Sequence, residues 1–381
     1  MTNFAELSLI EHKKYKGKVS VQSLVPLDTR DDLSTYYSPG VAAPCLEIAK
    51  DPEKAYDYTW KGRTIAVVSD GTAVLGLGNI GWLAGLPVME GKAVLFKKFG
   101  WVDAVPIVLN TQDPDEIIKI VEAISPTFGG INLEDIKAPQ CFYVEEELKK
   151  RLNIPVFHDD QHGTAIVVLA ALINALKLVG KEKDQIKIVM SWAWAAAIAI
   201  AKLLIARWVK HIVMVDTKWA LYTGRTDGMN PYKDSIAPYN INNEQWDIHA
   251  VIGGADVFLG LSQPNLIDRN DVQKMADKPI VFAMSNPTPE IMPDEAKAGW
   301  AYIVATGRSD FPNQVNNVLV FPWLFKWALE ARVVQFTQEH FITAAHALAG
   351  YVADVWVENI IPSPLDPKVA GVVADAIKSV K

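Results

Sequence analysis

Short apolar runs that stop at turn residues recur along the chain. Thr64-Ile65-Ala66-Val67-Val68 stops at Ser69-Asp70-Gly71, which predicts a buried strand ending in a turn. Residues 102–109, 130–133 and 154–157 repeat the pattern. Helical spacing fills the gaps. Residues 113–124 open with acidic side chains, and 144–152 run from acidic to basic, as a helix dipole favours. A long apolar helix is expected over 163–179. Beyond it the rhythm resumes, with a strand at 186–190, a helix at 195–207 and a strand at 211–215 ending in Asp216. Further short runs lie at 255–259, 279–283 and 301–304. Strands alternating with helices imply an α/β protein with parallel sheets and right-handed crossovers. The main boundary is expected near 160–165, which divides the chain into 1–162 and 163–332. A mostly helical segment, 333–381, packs back on the body.

Composition narrows the function classes. Lys plus Arg number 37 and Asp plus Glu 44, a net charge of −7. That balance argues against a sequence-blind nucleic-acid binder, which needs a basic surface. No run of 18 apolar residues stands out, so no membrane span is expected. The first 18 residues carry scattered charges and no signal-peptide block. Cys45 and Cys141 cannot build a disulfide scaffold and fit a reducing cytoplasm. Twelve tryptophans are many for 381 residues.

Candidate chemistry gathers at strand ends. Glu134 and Asp135 end one run, and His158, Asp159 and Asp160 end the next, with a helix-length segment between. In a βαβ unit both groups fall at the carboxyl edge of the sheet, where ligands of open α/β sheets bind. Carboxylates converging without basic partners call for a divalent cation, and oxygen donors favour Mg²⁺ or Mn²⁺. The plainer alternative is that these acids only end strands and cap helices, Asp160 capping the helix expected near Gly163. No zinc spacing is present.

Two segments compete as a dinucleotide turn. Gly76-Leu77-Gly78-Asn79-Ile80-Gly81 has the glycine pattern, but 69–81 is rich in turn residues, and Gly85 and Pro87 interrupt any helix after it. A tight loop beside a site is the better reading. Ser191-Trp192-Ala193-Trp194-Ala195-Ala196-Ala197 has the right context, strand before and helix after, with Asp216 placed for the adenosine ribose. Here tryptophan stands where glycine is wanted, and an indole occupies phosphate space. On chemistry alone this is a βαβ unit with a damaged or absent nucleotide site.

Taken together, several stretches resemble malic enzyme in its short bacterial and archaeal form. They are Tyr36-Tyr37-Ser38-Pro39-Gly40, Ser69-Asp70-Gly71-Thr72, Val88-Met89-Glu90-Gly91-Lys92, Glu134-Asp135 and His158-Asp159-Asp160-Gln161-His162-Gly163. Ser285-Asn286-Pro287-Thr288-Pro289-Glu290, Thr306-Gly307-Arg308-Ser309-Asp310 and Gln314-Val315-Asn316-Asn317 complete the set. The resemblance implies a substrate domain followed by a Rossmann-like, doubly wound nucleotide domain. It implies oxidative decarboxylation of L-malate to pyruvate and CO₂ with NAD, or NADP, and Mg²⁺ or Mn²⁺. It assigns the metal to Glu134, Asp135 and Asp160, the general base to Lys92 and the general acid to Tyr37. Asp159 would orient Lys92 or a metal ligand. Gly78, Asn79, Asn286 and Asn317 would meet the substrate. Trp192, Ala193, Trp194, Ala195, Ala196 and Asn286 would face the cofactor. Asp216 would hold the ribose and favour NAD, with Lys218 close enough to soften that preference. A homodimer is implied, with the apolar N-terminal segment as a reasonable interface. A malolactic-type enzyme making lactate, a non-catalytic metal- and dicarboxylate-binding remnant, and a dehydrogenase using the 76–81 loop are the competing readings.

The resemblance fails at tryptophan. The family turn has glycine where Trp192 and Trp194 stand, and glycine is also expected at Trp101, Trp208, Trp219, Trp300, Trp323 and Trp327; Trp82 is unexpected too. These positions are expected to be altered or misassigned residues on a natural background. With indoles at the turn, dinucleotide binding should be weak or absent while malate and metal binding persist.

Overall fold

The computed structural model describes residues 3–74, 76–191, 194–207, 209–366 and 368–380. Those residues form ten strands in two sheets. The first sheet holds β1 (Thr64–Ser69), β2 (Asp103–Val108), β3 (Gly130–Leu133) and β4 (Val156–His158), all parallel, in the order β2-β1-β3-β4. Every residue of β1 is buried, as an unbroken apolar run predicts for a strand covered on both faces. Helix Pro114–Ile124 starts where its acidic pattern places it. Asp113 caps it, accepting from the backbone of Asp115 and Glu116, and it buries Ile117, Ile118 and Val121.

Helix Trp82–Leu95 corrects the expectation that Gly85 and Pro87 would break it. Gly85 lies against Val74 and the Gly71 backbone, where even a Cβ would make only ordinary contacts, so it neither breaks the helix nor is demanded by the packing. Gly71 (φ +69) in turn has the Gly81 backbone where a Cβ would sit. Gly71 therefore serves packing, and the helix that follows carries Lys92.

Helix Asp159–Val179 begins four residues earlier than its apolar pattern suggests, and its N-cap is His158, not Asp160. By length and composition it could cross a membrane, yet 72% of its most apolar window is buried inside the molecule. It packs against helices Ala195–Ile205 and Gln338–Tyr351, and Asn174 donates to the carbonyls of Ala349 and Ile360 at 2.9 and 3.0 Å.

The second sheet holds β5 (Lys187–Ser191), β6 (His211–Asp216), β7 (Trp219–Ala220), β8 (Val257–Gly260), β9 (Ile280–Ala283) and β10 (Ile303–Thr306). Its order is β10-β9-β8-β5-β6-β7, parallel except for β7, which turns back on β6. The chain winds outward in both directions from the β5–β8 pair. That reversal is the switch point of a doubly wound sheet, where ligands bind beyond the carboxyl ends of the strands. Helix Phe321–Glu330 returns to the first sheet, where Phe325 lies against Gly130.

The N-terminal segment departs from this packing. None of residues 3–63 is buried, and Phe4, Leu9, Val21 and Leu24 are all at least 75% exposed. The tryptophans fall into groups. Trp323 and Trp327 are buried in a helix, and Trp82 opens one. Trp101, Trp219 and Trp300 sit at φ 58°, 80° and 74°, in the left-handed region that favours glycine. Trp192, Ala193 and Trp208 lie outside the described residues.

Candidate active site

Strand register builds the acidic corner. β3 and β4 pair in parallel with Leu133 opposite His158. Glu134 and Asp135 follow directly on β3, and Asp159 and Asp160 form the first turn of the helix after β4, so the register brings both acidic pairs to one edge of the sheet, where Glu134 and Asp159 meet on Lys92. The Asp135 amide donates to Asp160 Oδ2 at 2.9 Å. One carboxylate oxygen from each of Glu134, Asp135 and Asp160 can be chosen so that all lie within 4.8 Å of one another. This donor set fits a hard divalent cation. It is all oxygen and all carboxylate, and no sulfur or imidazole competes within it.

Lys92 enters from helix Trp82–Leu95 and is 8% exposed. Its Nζ lies 2.6 Å from Asp159 Oδ2 and 3.0 Å from Glu134 Oε1, and 4.4 Å above the centre of the Phe321 ring. Asn317 Nδ2 donates to the same Asp159 oxygen at 2.6 Å, and Asn132 donates to Glu134 Oε2 at 2.9 Å. A Cβ on Gly163 would strike the other Asp159 oxygen, so that glycine makes room for the carboxylate.

Charge is out of balance here, with four carboxylates facing one lysine. Burial pushes Asp159 up to about 7 against the pull of Lys92, and raises Glu134 and Asp160 in the same sense. For Lys92, burial opposes the charge, but Asp159 and Glu134 outweigh it and hold the amine above its ordinary value. Below the corner, buried Glu145 accepts from the His158 amide at 3.2 Å and pairs with Lys149 and His162, each at 2.8 Å.

The remaining expected residues divide. Asn317 joins the corner through Asp159. Asn286 is exposed, and its carbonyl packs where a side chain on Gly76 would stand, which brings the 76–79 loop alongside the Asn286–Pro287 turn. Gly78 and Asn79 are exposed, and Asn79 bonds Gln112 at 3.3 Å. Tyr37 follows a helix with no buried residue and is itself 68% exposed, whereas Lys92 is enclosed. One chain does not bring that pair together in a closed site.

At the second sheet, Ser191 ends β5 and its Oγ accepts from the Leu261 amide at 3.1 Å and the Ser262 hydroxyl at 3.0 Å, tying β5 to β8 at the switch point. Buried Glu290 accepts from the amides of Ser262 and Ser285 at 2.6 and 3.1 Å. Trp194 stands at the N-cap of helix Ala195–Ile205, makes no side-chain cap and is 40% exposed. Ala195 and Ala196, in the first turn, are half-buried. Asp216 ends β6, held by Arg225 and Lys233, two residues that sequence reasoning missed. Neither lies in a motif; only the intervening fold brings them to the carboxylate. Phe321 and Asn132 were missed too, since each reads as ordinary core until Lys92 and Glu134 are placed beside it.

A switch-point sheet next to an acidic, lysine-bearing corner defines a two-sheet α/β protein with a doubly wound sheet of the dinucleotide-binding kind and a carboxylate set that would fit a hard cation. Residues 16–149 match the malic enzyme N-terminal domain and 161–374 the malic enzyme NAD binding domain. The chain belongs to the malic enzyme family. It is 54% identical over 375 residues to the bifunctional malic/malolactic enzyme of Bacillus subtilis, covering 98% of this chain and 92% of that one. It is 49% identical to the NADP-dependent malic enzyme of Escherichia coli, covering 95% of this chain and 50% of that longer one. The crystal structure of the NAD-dependent malic enzyme of Thermotoga maritima superposes with a TM-score of 0.94 at 46% identity, over 98% of this chain and 99% of that one.

Proposed function

We propose that this protein oxidatively decarboxylates L-malate to pyruvate and CO₂, with NAD or NADP accepting the hydride and Mg²⁺ or Mn²⁺ required. The observation that carries the reading is the Lys92–Asp159–Glu134 contact beside a three-carboxylate donor set. Residues 1–162 serve substrate and metal, 163–332 the dinucleotide, and 333–381 brace both.

Glu134, Asp135 and Asp160 would hold the cation, which when bound would supply positive charge to the C2 oxygen and to the electron pair left by decarboxylation. Lys92 takes the C2 hydroxyl proton as hydride leaves the same carbon. To do so it must be neutral. Once Glu134 and Asp160 are committed to a cation they no longer favour its charge, and Asp159 remains to aim the amine. Asn317, which shares Asp159 with Lys92, and Asn286 orient the dicarboxylate, with Gly78 and Asn79 lining its approach. Ala195, Ala196 and Asn286 face the dinucleotide.

Tyr37 returns a proton to the enolate carbon. Because Tyr37 is exposed and residues 3–63 leave their apolar side chains uncovered, the working unit is a homodimer in which a second copy covers that segment and brings its Tyr37 to Lys92. Cys45 and Cys141 are both unpaired, which suits a cytoplasmic enzyme.

The test is NADH or NADPH absorbance with L-malate and Mn²⁺, with the product identified. Pyruvate with reduced cofactor supports the reading. Lactate without released cofactor transfers it to the malolactic reaction, and no turnover of malate with metal and either cofactor overturns it. Mixing Lys92→Ala with Tyr37→Phe should regain part of the activity that each lacks alone; no regain refutes the shared site.

A further inference from the structure

The Asp216 carboxylate has no acceptor left for a ribose hydroxyl. Oδ1 accepts from the Lys218 amide at 2.8 Å and Arg225 Nη2 at 2.7 Å. Oδ2 accepts from Arg225 Nη2 at 2.9 Å and Lys233 Nζ at 2.6 Å. A carboxylate has about four lone-pair sites, so these contacts use its capacity. Arg225 is committed as well, its Nε to the Asp227 carbonyl and its Nη1 to the carbonyls of Trp219 and Ala220. Lys233 donates once more, to the Gly228 carbonyl at 2.8 Å, which leaves one of its three N–H groups without a partner among the described residues. Lys218 pairs with Asp227 at the exposed rim, where its ammonium can swing. Arg225 and Lys233 together exceed Asp216 by one positive charge, and the rim pair adds none.

We propose that this cluster selects the 2′-phosphate of NADP over the bare ribose of NAD, with Lys218 and Lys233 as its ligands. The acid that on sequence alone favours NAD is neutralised by its own neighbours. The proposal rests on the dinucleotide reading above, and its test separates the two. The ratio of kcat/KM for NADP to that for NAD should exceed one, and Lys218→Glu should lower the ratio at least about tenfold, since a charge-assisted contact becomes a repulsion. A parent ratio below one, or a ratio unmoved by Lys218→Glu, overturns it. Calorimetry with adenosine 2′-monophosphate against adenosine reads the same preference without turnover. Tighter binding of the phosphate form supports the cluster even if malate is not oxidised, and equal or weaker binding overturns it.

Trp101 and Trp300 each follow a helix and close it with a paired backbone motif. The Val102 amide reaches the Phe96 carbonyl at 3.4 Å and the Ala301 amide reaches the Ala296 carbonyl at 3.0 Å. Helix Asp159–Val179 closes likewise, from Lys181 back to Leu176, but there the left-handed residue is Gly180 at φ 71°. Glycine suits that position because a Cβ crowds the backbone. Trp219 takes φ 80° where β7 meets β6. Among the described residues, the other seven non-glycine residues at positive φ, from Lys16 to Arg332, lie between 50° and 56°, whereas Trp219 and Trp300 fall among the glycines, at 68° to 107°. All three indoles are more than half exposed, so packing does not repay the strain.

We infer that positions 101, 219 and 300 are glycine in the protein its own cells make, a codon read elsewhere as tryptophan being decoded there as glycine. Independent substitutions scatter over residue types; one type replacing glycine at unrelated turns points to the codon. The same decoding at 192 and 194 restores the glycine turn that the dinucleotide needs. Peptide mass mapping of the protein from its source cells decides the matter. Glycine at 101, 219 and 300 is expected, and tryptophan at these three positions overturns the inference.

Discussion

The two corners of this molecule were specified in different ways. At the acidic corner, side-chain identity and backbone agree: the parallel pairing of β3 and β4 ends with Leu133 opposite His158, which delivers Glu134 and Asp159 to the same lysine, and Gly163 gives Asp159 its space. Around the second sheet, the backbone keeps a glycine conformation under residues that are not glycine, as Trp219 and Trp300 demonstrate. Buried charge is placed by strand pairing, which many contacts enforce. A turn is placed by its φ, which survives a poor side chain when the flanking elements are well packed.

The largest test of this contrast is Lys92→Met. Losing a positioned general base should cost about 10²–10⁴-fold in kcat, whereas Lys97→Met, an exposed lysine on the same stretch, should leave the rate close to that of the parent. Equal losses would mean that the corner is structural only.

Metal should stabilise the acidic corner selectively. Mn²⁺ at about a hundred times its Kd should add about 2.7 kcal/mol to unfolding, and Asp135→Asn should remove most of that gain, both read by thermal melts. A gain that is the same in Asp135→Asn would place the cation elsewhere.

A smaller effect follows from pH. Asp159 is pushed up to about 7, while its unfolded value is about 4. Between those values the folded chain holds a proton that the unfolded chain lacks, so metal-free stability falls as pH rises through about 7. The Mn²⁺-induced rise in Tm should therefore be greater at pH 8 than at pH 5. His158, pushed down to about 4 by burial, acts in the opposite sense with and without metal, so the difference between the two melts isolates the carboxylates. A constant difference would refute the burial argument.

The smallest effect belongs to the turns. Trp300→Gly should stabilise by about 1 kcal/mol, the relief of a left-handed L-residue less the added freedom of the unfolded chain. Trp323→Gly, in a buried helical position, should destabilise by about 3–5 kcal/mol as a cavity opens. If both destabilise, the left-handed backbone at Trp300 is not strained.

Much of the fold was legible before any coordinates. Each expected strand from 64 to 306 forms, because an apolar run ending in turn residues has few other ways to be buried. The acidic pairs were legible as well, since parallel strands with successive acids at their ends must gather them. Helix Trp82–Leu95 was not, because Gly85 and Pro87 look like breakers until the Gly71 backbone is seen packed against that helix. Arg225 and Lys233 were not, because residues 9 and 17 positions from Asp216 meet it only after the intervening loop folds. Nor was the exposure of Tyr37, since a local pattern records a helix end and not what covers it. Local periodicity determined the elements and the strand-end acids. Tertiary packing decided which cations neutralise which carboxylates, because charge pairing depends on distance in space and not on separation along the chain.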